Sequence, residues 1–410
     1  MLCPSRQRAR FELRRLPFLA DQRATLVNVK LKWVKDRPLD SVVASERHLR
    51  PVLHLVHLLS YHPRGRVPSF NLLKRCRQFG LPHRHGDIVA FMRRYPTIFR
   101  ESPDPGARNG DGAPCFSLSE DAIRLREQEV EALADAETDL VDRLRRLLML
   151  TADRSLPLPT VDQLQWDMGL PSDYHLTLIP RHPEAFSIVR LPGDERLWLR
   201  LVCWDPRLAV SELEKKSVAS ETETEGKGLA FPVKFTKGFG LRKKCMEWLR
   251  EWQTLPYTSP YADASHLDPR TDESEKRNVG VFHELLHLTI AKKTERRNVS
   301  NLRKPLSLPQ KFTKAFERHP GIFYLSEKLA TQTVVLREAY DGRKLLISHP
   351  LQEIRRKYVG LLRAARSQWT GRSSTKIDEQ ATLYSKAVDL ADASESSSSD
   401  DERGDVYASS

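Results

Sequence analysis

His283-Glu284-Leu285-Leu286-His287 is a stretch of this 410-residue chain whose spacing matches a catalytic metal motif. On a helix, H-E-x-x-H puts two imidazoles on one face to hold zinc, with the Glu as general base. A hydrolase of that kind also needs a third ligand and a cleft. The extension that supplies a third His requires Gly at 290 and His at 293, where this chain has Ile290 and Lys293. Glu295 and Glu317 follow without a metal-binding pattern. Val281, Phe282, Leu285, Leu286, Leu288 and Ile290 nearly surround the helix. The sequence therefore predicts a packed segment with two partly buried histidines, no bound metal and no cofactor. A P-loop, G-x-G-x-x-G and G-x-S-x-G are all absent. Cys3, Cys76, Cys115, Cys203 and Cys245 are isolated, which is neither a disulfide framework nor a zinc cluster.

With catalysis set aside, charge carries the next signal. The net charge is +13, and residues 1–100 hold 21 Lys+Arg against 6 Asp+Glu. A basic body attracts a polyanion, most commonly nucleic acid. Asp392, Glu395, Asp400, Asp401, Glu402 and Asp405 face only Arg403 in a Ser-rich stretch. That composition predicts a disordered acidic tail over 371–410. Arg6, Arg8, Arg10, Arg14 and Arg15 alternate with Leu2, Phe11, Leu13, Leu16, Phe18 and Leu19. An Arg-rich, acid-poor amphipathic start reads as an organelle transit peptide and basic arm over 1–30. Its low Ser content leans to the mitochondrion over the chloroplast. No run of about 18 apolar residues occurs, so no membrane span is expected.

A short pattern recurs three times: Arg94-Tyr95-Pro96-Thr97-Ile98-Phe99, Arg181-His182-Pro183-Glu184-Ala185-Phe186 and Arg318-His319-Pro320-Gly321-Ile322-Phe323. The Pro reads as a helix stop and the Phe as a core anchor. The Arg residues fit a structural role and an RNA role equally. Repetition suits a surface assembled from similar modules, hence a binding protein.

The elements that must carry these residues follow from periodicity. Helices are expected over 39–60, broken at Pro51, over 69–79 and over 84–94. Strands at 97–100 and around 115–118 flank a Pro/Gly-rich hairpin tip. One long helix, 120–150, would bury Ile123, Val130, Leu133, Leu140, Leu144, Leu147 and Leu148 on one face. Then come a helix at 161–168, strands at 186–190 and 197–204, and a polar linker at 211–227. Helices at 241–253 and 273–297 follow, the second with Asp272 and Glu275 as a capping box. Trp248 and Trp252 read as core. A strand at 333–337 and a helix at 351–366 close the body. The fold class is α+β, mostly helical: three related helical units, each ending in a β-hairpin and winged-helix-like. Their bounds are 31–150, 151–227 (with the linker) and 228–370.

Val34-Lys35-Asp36-Arg37-Pro38-Leu39-Asp40, the Phe91–Pro96 stretch and FPVKFTKGFGLRKKCMEWLREWQTLPYTSPY (231–261) resemble the plant organelle RNA recognition domain. So do EKRNVGVFHELLHLT (275–289), LPQKFTKAFERHPGIFYLS (308–326) and LREAYDGRKLLISHPL (336–351). This is the "What's This Factor" family of land plants. The resemblance covers about 30–365. It implies an RNA-binding factor of mitochondria or chloroplasts that promotes splicing of group II introns without catalysis of its own. Its partners would be intron-containing organellar RNA and other splicing factors in a ribonucleoprotein complex. RNA contacts combine cations at phosphates with flat side chains on unstacked bases. The first unit offers Lys74, Arg75, Arg77, Arg84, Arg93 and Arg94; the third offers Lys234, Lys237, Arg242, Lys243 and Lys244. Each taken singly is more simply a solvated charge. Two other readings remain: a winged-helix-like DNA-binding protein of an organelle, and an H-E-x-x-H zinc metallopeptidase.

Overall fold

The computed structural model describes residues 33–76, 85–103, 114–219, 229–236, 239–240 and 243–370. The expected arm (1–30), the hairpin tip (104–113) and the acidic tail (371–410) lie outside them. The fold mixes helices with small antiparallel sheets.

Helix α1 (Arg37–Ser45) starts where Asp36 Oδ1 accepts the Leu39 N–H at 3.2 Å and Pro38 occupies the first turn. Helix α2 is Leu49–Ser60. The break expected at Pro51 falls instead at 46–48. Pro51 lies inside the first turn of α2, where its missing N–H has no intrahelical partner to lose. Strand β1 (Arg66–Pro68) runs straight into α3 (Ser69–Cys76); α4 (His85–Arg93), β2 (Phe99–Ser102) and β3 (Cys115–Leu118) follow. The sheet order is β1-β3-β2, with Phe116 opposite both Val67 and Glu101.

The long helix expected over 120–150 is two, α5 (Glu120–Asp135) and α6 (Glu137–Met149), joined at Ala136. Helix α5 buries Ala122 and Leu125, so Ile123 and Val130 beside that face are exposed, at 43% and 53%, while Leu140, Leu144, Leu147 and Leu148 are buried as expected. Next come β4 (Ser155–Pro157), α7 (Leu158–Met168), α8 (Tyr174–Thr177), β5 (Phe186–Arg190) and β6 (Leu197–Leu201). Their sheet has the order β4-β6-β5, with Leu199 opposite both Leu156 and Ile188.

Part of the expected linker is helix α9 (Glu212–Ala219). Its start is a reciprocal capping box: the Ser211 N–H donates to Glu214 Oε2 at 2.7 Å, and the Glu214 N–H to Ser211 Oγ at 3.3 Å. Helix α10 is Lys243–Thr254 and α11 is Asp272–Leu288. The cap of α11 is Thr271, whose side chain accepts the Ser274 N–H, not Asp272. The helix also stops nine residues short of Arg297, because Thr289 is already extended (ψ 144°); left-handed Lys292 (φ 52°) then turns the chain into β7 (Lys293–Glu295). Then come α12 (Arg296–Ser300), α13 (Lys314–Arg318), β8 (Phe323–Ser326) and β9 (Thr333–Leu336), with the sheet order β7-β9-β8. A small ladder, β10 (Tyr340–Asp341) with β11 (Lys344–Leu345), precedes α14 (Pro350–Thr370).

The order helix, short strand, helices, hairpin thus occurs three times, and in every case the last strand is central. The residue before each short strand is left-handed: Gly65 (φ 59°), Arg154 (φ 48°) and Lys292 (φ 52°). Buried residues of the second and third sheets belong to one continuous core. The first sheet's core is completed by Ile354, Tyr358, Val359, Leu362 and Ala365 of α14. Helix α1 packs on the third sheet, Leu39 and Val43 against Tyr324, Val335 and Tyr340. Among the described residues no helix is long and apolar enough to cross a membrane.

Candidate nucleic-acid interface

Of the eleven basic residues singled out from the sequence, the structure describes the side chains of Arg93, Arg94, Lys234 and Lys243. Arg77, Arg84, Lys237 and Arg242 lie outside the described residues. Lys74 and Arg75 are on α3 and Lys244 on α10, with side chains outside the description. Arg93, at the end of α4, is held by Glu101 of β2 in a two-pronged pair, Nε to Oε2 at 2.8 Å and Nη2 to Oε1 at 2.6 Å. That bond raises the guanidinium's pKa and lowers the carboxyl's. Arg94 is half-buried.

Lys234 and Lys243 belong to the third sheet's surroundings. The chain at 231–236 lies across the turn before β8: the Lys234 N–H donates to Gly321 O at 2.8 Å. A Cβ on Gly321 would come within 2.4 Å of Val233 Cγ1, so only glycine permits this approach. Lys234 Nζ donates to Tyr340 O at 2.8 Å, yet the side chain stays half-exposed. Phe235 stacks on Phe239 at 4.9 Å beside it. Lys243 is exposed and opens α10, whose first turn holds no acid. The two clusters sit on different sheets. Trp248 and Trp252 are core, as expected, with Trp252 stacked on buried Phe231.

Two copies of the repeated pattern share one arrangement. Arg181 Nη1 and His182 Nε2 both bind Glu137 in the first turn of α6, at 2.8 and 2.9 Å. Arg318 and His319 both bind Glu275 in the first turn of α11. In the first copy Tyr95 takes the place of His and packs against His48 and Phe91. Arg181 and Arg318 thus brace a helix start, which is the structural role of the two weighed.

The H-E-x-x-H residues divide. Glu284 is fully buried: Oε1 accepts from Arg146 Nη2 and the Tyr261 hydroxyl, each at 2.6 Å, and Oε2 from the Glu212 N–H at 2.8 Å. Burial and the adjacent carboxylate push the Tyr261 phenol well up, so it stays a donor. A carboxylate committed in this way does not serve as a hydrolytic base, and the metallopeptidase reading loses its catalytic group. His283 and His287 turn the other way. Both Nε2 atoms lie 2.7 Å from Oε1 of Glu338, a residue that sequence spacing could not connect to them. Burial pulls His287 down to about 4. Burial pushes the Glu338 carboxyl up, but the two imidazoles more than offset this and hold it well below the usual carboxylate range. A carboxylate oxygen only accepts, so the proton each ring donates to it sits on Nε2.

The plant organelle RNA recognition domain family matches residues 34–367. The mitochondrial protein What's This Factor 9 of Arabidopsis thaliana is 36% identical over 346 residues, 83% of this chain and 87% of that protein. The chloroplastic What's This Factor 1 of Zea mays is 33% identical over 84% of this chain and 69% of its own length. Root Primordium Defective 1 of Arabidopsis thaliana is 28% identical over 90% of both chains. No solved structure matches.

Proposed function

The chain belongs to the plant organelle RNA recognition domain family, and from that premise we propose that it is an organellar RNA-binding factor that promotes splicing of group II introns without chemistry of its own. The observation that carries this reading is the family match over 34–367, which takes in nearly all of the described body. The uneven charge supports it, with 21 Lys+Arg against 6 Asp+Glu in the first hundred residues. The partners we propose are intron-containing RNA and other splicing factors.

We further read the body as three related units with winged-helix order, near 31–150, 151–227 and 228–370. The thrice-repeated element order, the central last strand and the left-handed residue before each short strand support it. Two facts cut across those bounds: α1 packs on the third sheet, and the second and third sheets share a core. Winged-helix order also suits readers of duplex DNA, which keeps an organellar DNA-binding protein as the second reading. Competition between single-stranded RNA and duplex DNA for the purified chain separates the two.

For contacts we propose Lys74, Arg75, Arg77, Arg84, Arg93, Arg94, Lys234, Lys237, Arg242, Lys243 and Lys244. Lys243 and Lys244 stand at the positive end of the α10 dipole with no acid in that turn. Cations there are disfavoured unless an anion joins them, and a phosphate fits both the lysines and the helix end. The mitochondrion is the proposed compartment, since a relative matched over most of both chains is named mitochondrial; the chloroplast is the alternative. The deciding experiment sequences RNA that co-purifies with the protein from isolated organelles. Enrichment of group II intron sequence is expected. Recovery of RNA without intron enrichment, or of DNA, would overturn the splicing role.

A further inference from the structure

His283 and His287, one turn apart on α11, meet Glu338 from the short 3-10 turn after β9. Their three donor atoms lie within 4.8 Å of one another. Glu338 Oε1 accepts from both imidazoles and from Lys216 Nζ of α9, each at 2.7 Å. Its other oxygen, Oε2, is buried with no hydrogen-bond partner among the described residues. The Glu338 side chain is only 9% exposed. Buried carboxylate oxygens are nearly always satisfied, so this unpaired one beside Lys216 leaves a place for a further electropositive partner.

Two imidazoles and one carboxylate are a donor set that zinc uses when a fourth position is left to water. At metal–ligand distances of about 2.0–2.2 Å, tetrahedral donor atoms stand about 3.3–3.6 Å apart. From contacts of 2.7 Å the cluster must open by roughly 0.6–0.9 Å to admit the ion, a side-chain adjustment.

We propose that His283, His287 and Glu338 bind one Zn2+ ion, which ties α11 to the Arg337–Ala339 turn. To ligate, each Nε2 must offer its lone pair, so the ring proton it now shares with Glu338 moves to Nδ1. The Lys216 ammonium occupies the neighbourhood the ion needs; its side chain is 44% exposed and turns out to solvent. The ion is structural, because both oxygens of Glu284, the base of the motif, are already taken. This site is independent of the RNA reading, and either stands without the other.

The test uses the untagged full chain, stripped with chelator, equilibrated with zinc chloride and gel-filtered. Elemental analysis should find about one zinc per chain, and the zinc-loaded protein should melt several degrees above the stripped one. Glu338→Gln and His287→Ala should weaken zinc binding at least about tenfold. Lys216→Met keeps all three ligands and removes the competing ammonium, so its zinc affinity should rise. A parent protein that emerges without zinc overturns the proposal. So does equal zinc in the parent and in a Glu338→Gln variant that circular dichroism shows to be folded, since that metal would sit on thiols such as Cys203 or Cys245. Should the ligand variants not fold, unchanged or weaker zinc affinity in Lys216→Met overturns it as well.

Discussion

Glu275 and Glu137 hold the same two partners in successive copies of the repeated pattern, but in different surroundings. Glu275 meets Arg318 and the fully buried ring of His319, whereas Glu137 meets an Arg181 that is 58% exposed. Removing one member of a buried charge set leaves the rest unpaired, while an exposed pair contributes little. Glu275→Gln should therefore lower unfolding stability by about 3 kcal/mol. Glu137→Gln should cost no more than about 1 kcal/mol. Chemical denaturation of the two variants checks the ranking, and equal losses would show that the shared pattern hides no difference in burial. His54 makes a pH prediction. Burial, with Arg50, His57 and Arg355 nearby, pulls it down to about 3. The unfolded chain takes up a proton near pH 6.5 and the folded chain does not until about 3. The stability is thus fully present above 6.5 and is lost as pH falls through that window. Near pH 5, above the range where carboxylates titrate, His54→Gln should recover about 1–2 kcal/mol of the parent's loss. The comparison of parent and variant, followed by denaturation from pH 7 to 5, is the measurement. Of the candidate cations, sequence identified charge but not commitment. It could not show that Arg93 is already held by Glu101, nor that Glu338 reaches two histidines about fifty residues away.

The short strands β1, β4 and β7 are among the elements that sequence reasoning missed. Three residues do not display a two-residue alternation, and each is defined by pairing with a hairpin that comes later in the chain. The local signal was the turn before them, legible only at Gly65, since Arg154 and Lys292 take up a conformation that sequence does not advertise. At Gly65 a Cβ would meet nothing within 4 Å, so steric contact plays no part. Gly65→Ala should cost about 1 kcal/mol through the left-handed backbone alone. Hydrogen exchange should localise the loosening to β1 and its pairing with β3; an unchanged melting temperature would show that the turn relaxes without penalty. By contrast the hairpins β2–β3 and β5–β6, the helices α4, α7 and α10, and the core place of Trp252 were legible, because each carries its own periodicity or stop signal. Helix α9 was missed as well: its polar composition read as a linker and masked the capping box of Ser211 and Glu214.

At the scale of the molecule, the cores show why the chain must be whole. Helix α14 fills the first sheet's core from the far end of the sequence, and α1 covers the third sheet from the near end. No pattern within either segment announces such a partner, so the units are legible from periodicity while their closure is not. The family match over 34–367 runs from just before α1 into α14, in keeping with that closure. On this body the net charge of +13 makes the proposed RNA binding an electrostatic event, and each phosphate met on a single strand should add about −0.7 to the slope of log K against log salt. Reversing Lys234, Lys237, Lys243 and Lys244 together to Glu tests where those phosphates lie. Lys234 also holds the Tyr340 carbonyl, so circular dichroism and melting must first show the variant folded. If these lysines meet phosphates, affinity at physiological salt should fall at least about tenfold. The salt slope should also flatten by roughly 0.7 for every phosphate the variant no longer neutralises. A weaker complex with an unchanged slope would mean that the lysines position the chain rather than touch RNA. Unchanged affinity would move the interface to the basic residues around α3 and α4, where Arg93 would have to exchange Glu101 for a phosphate.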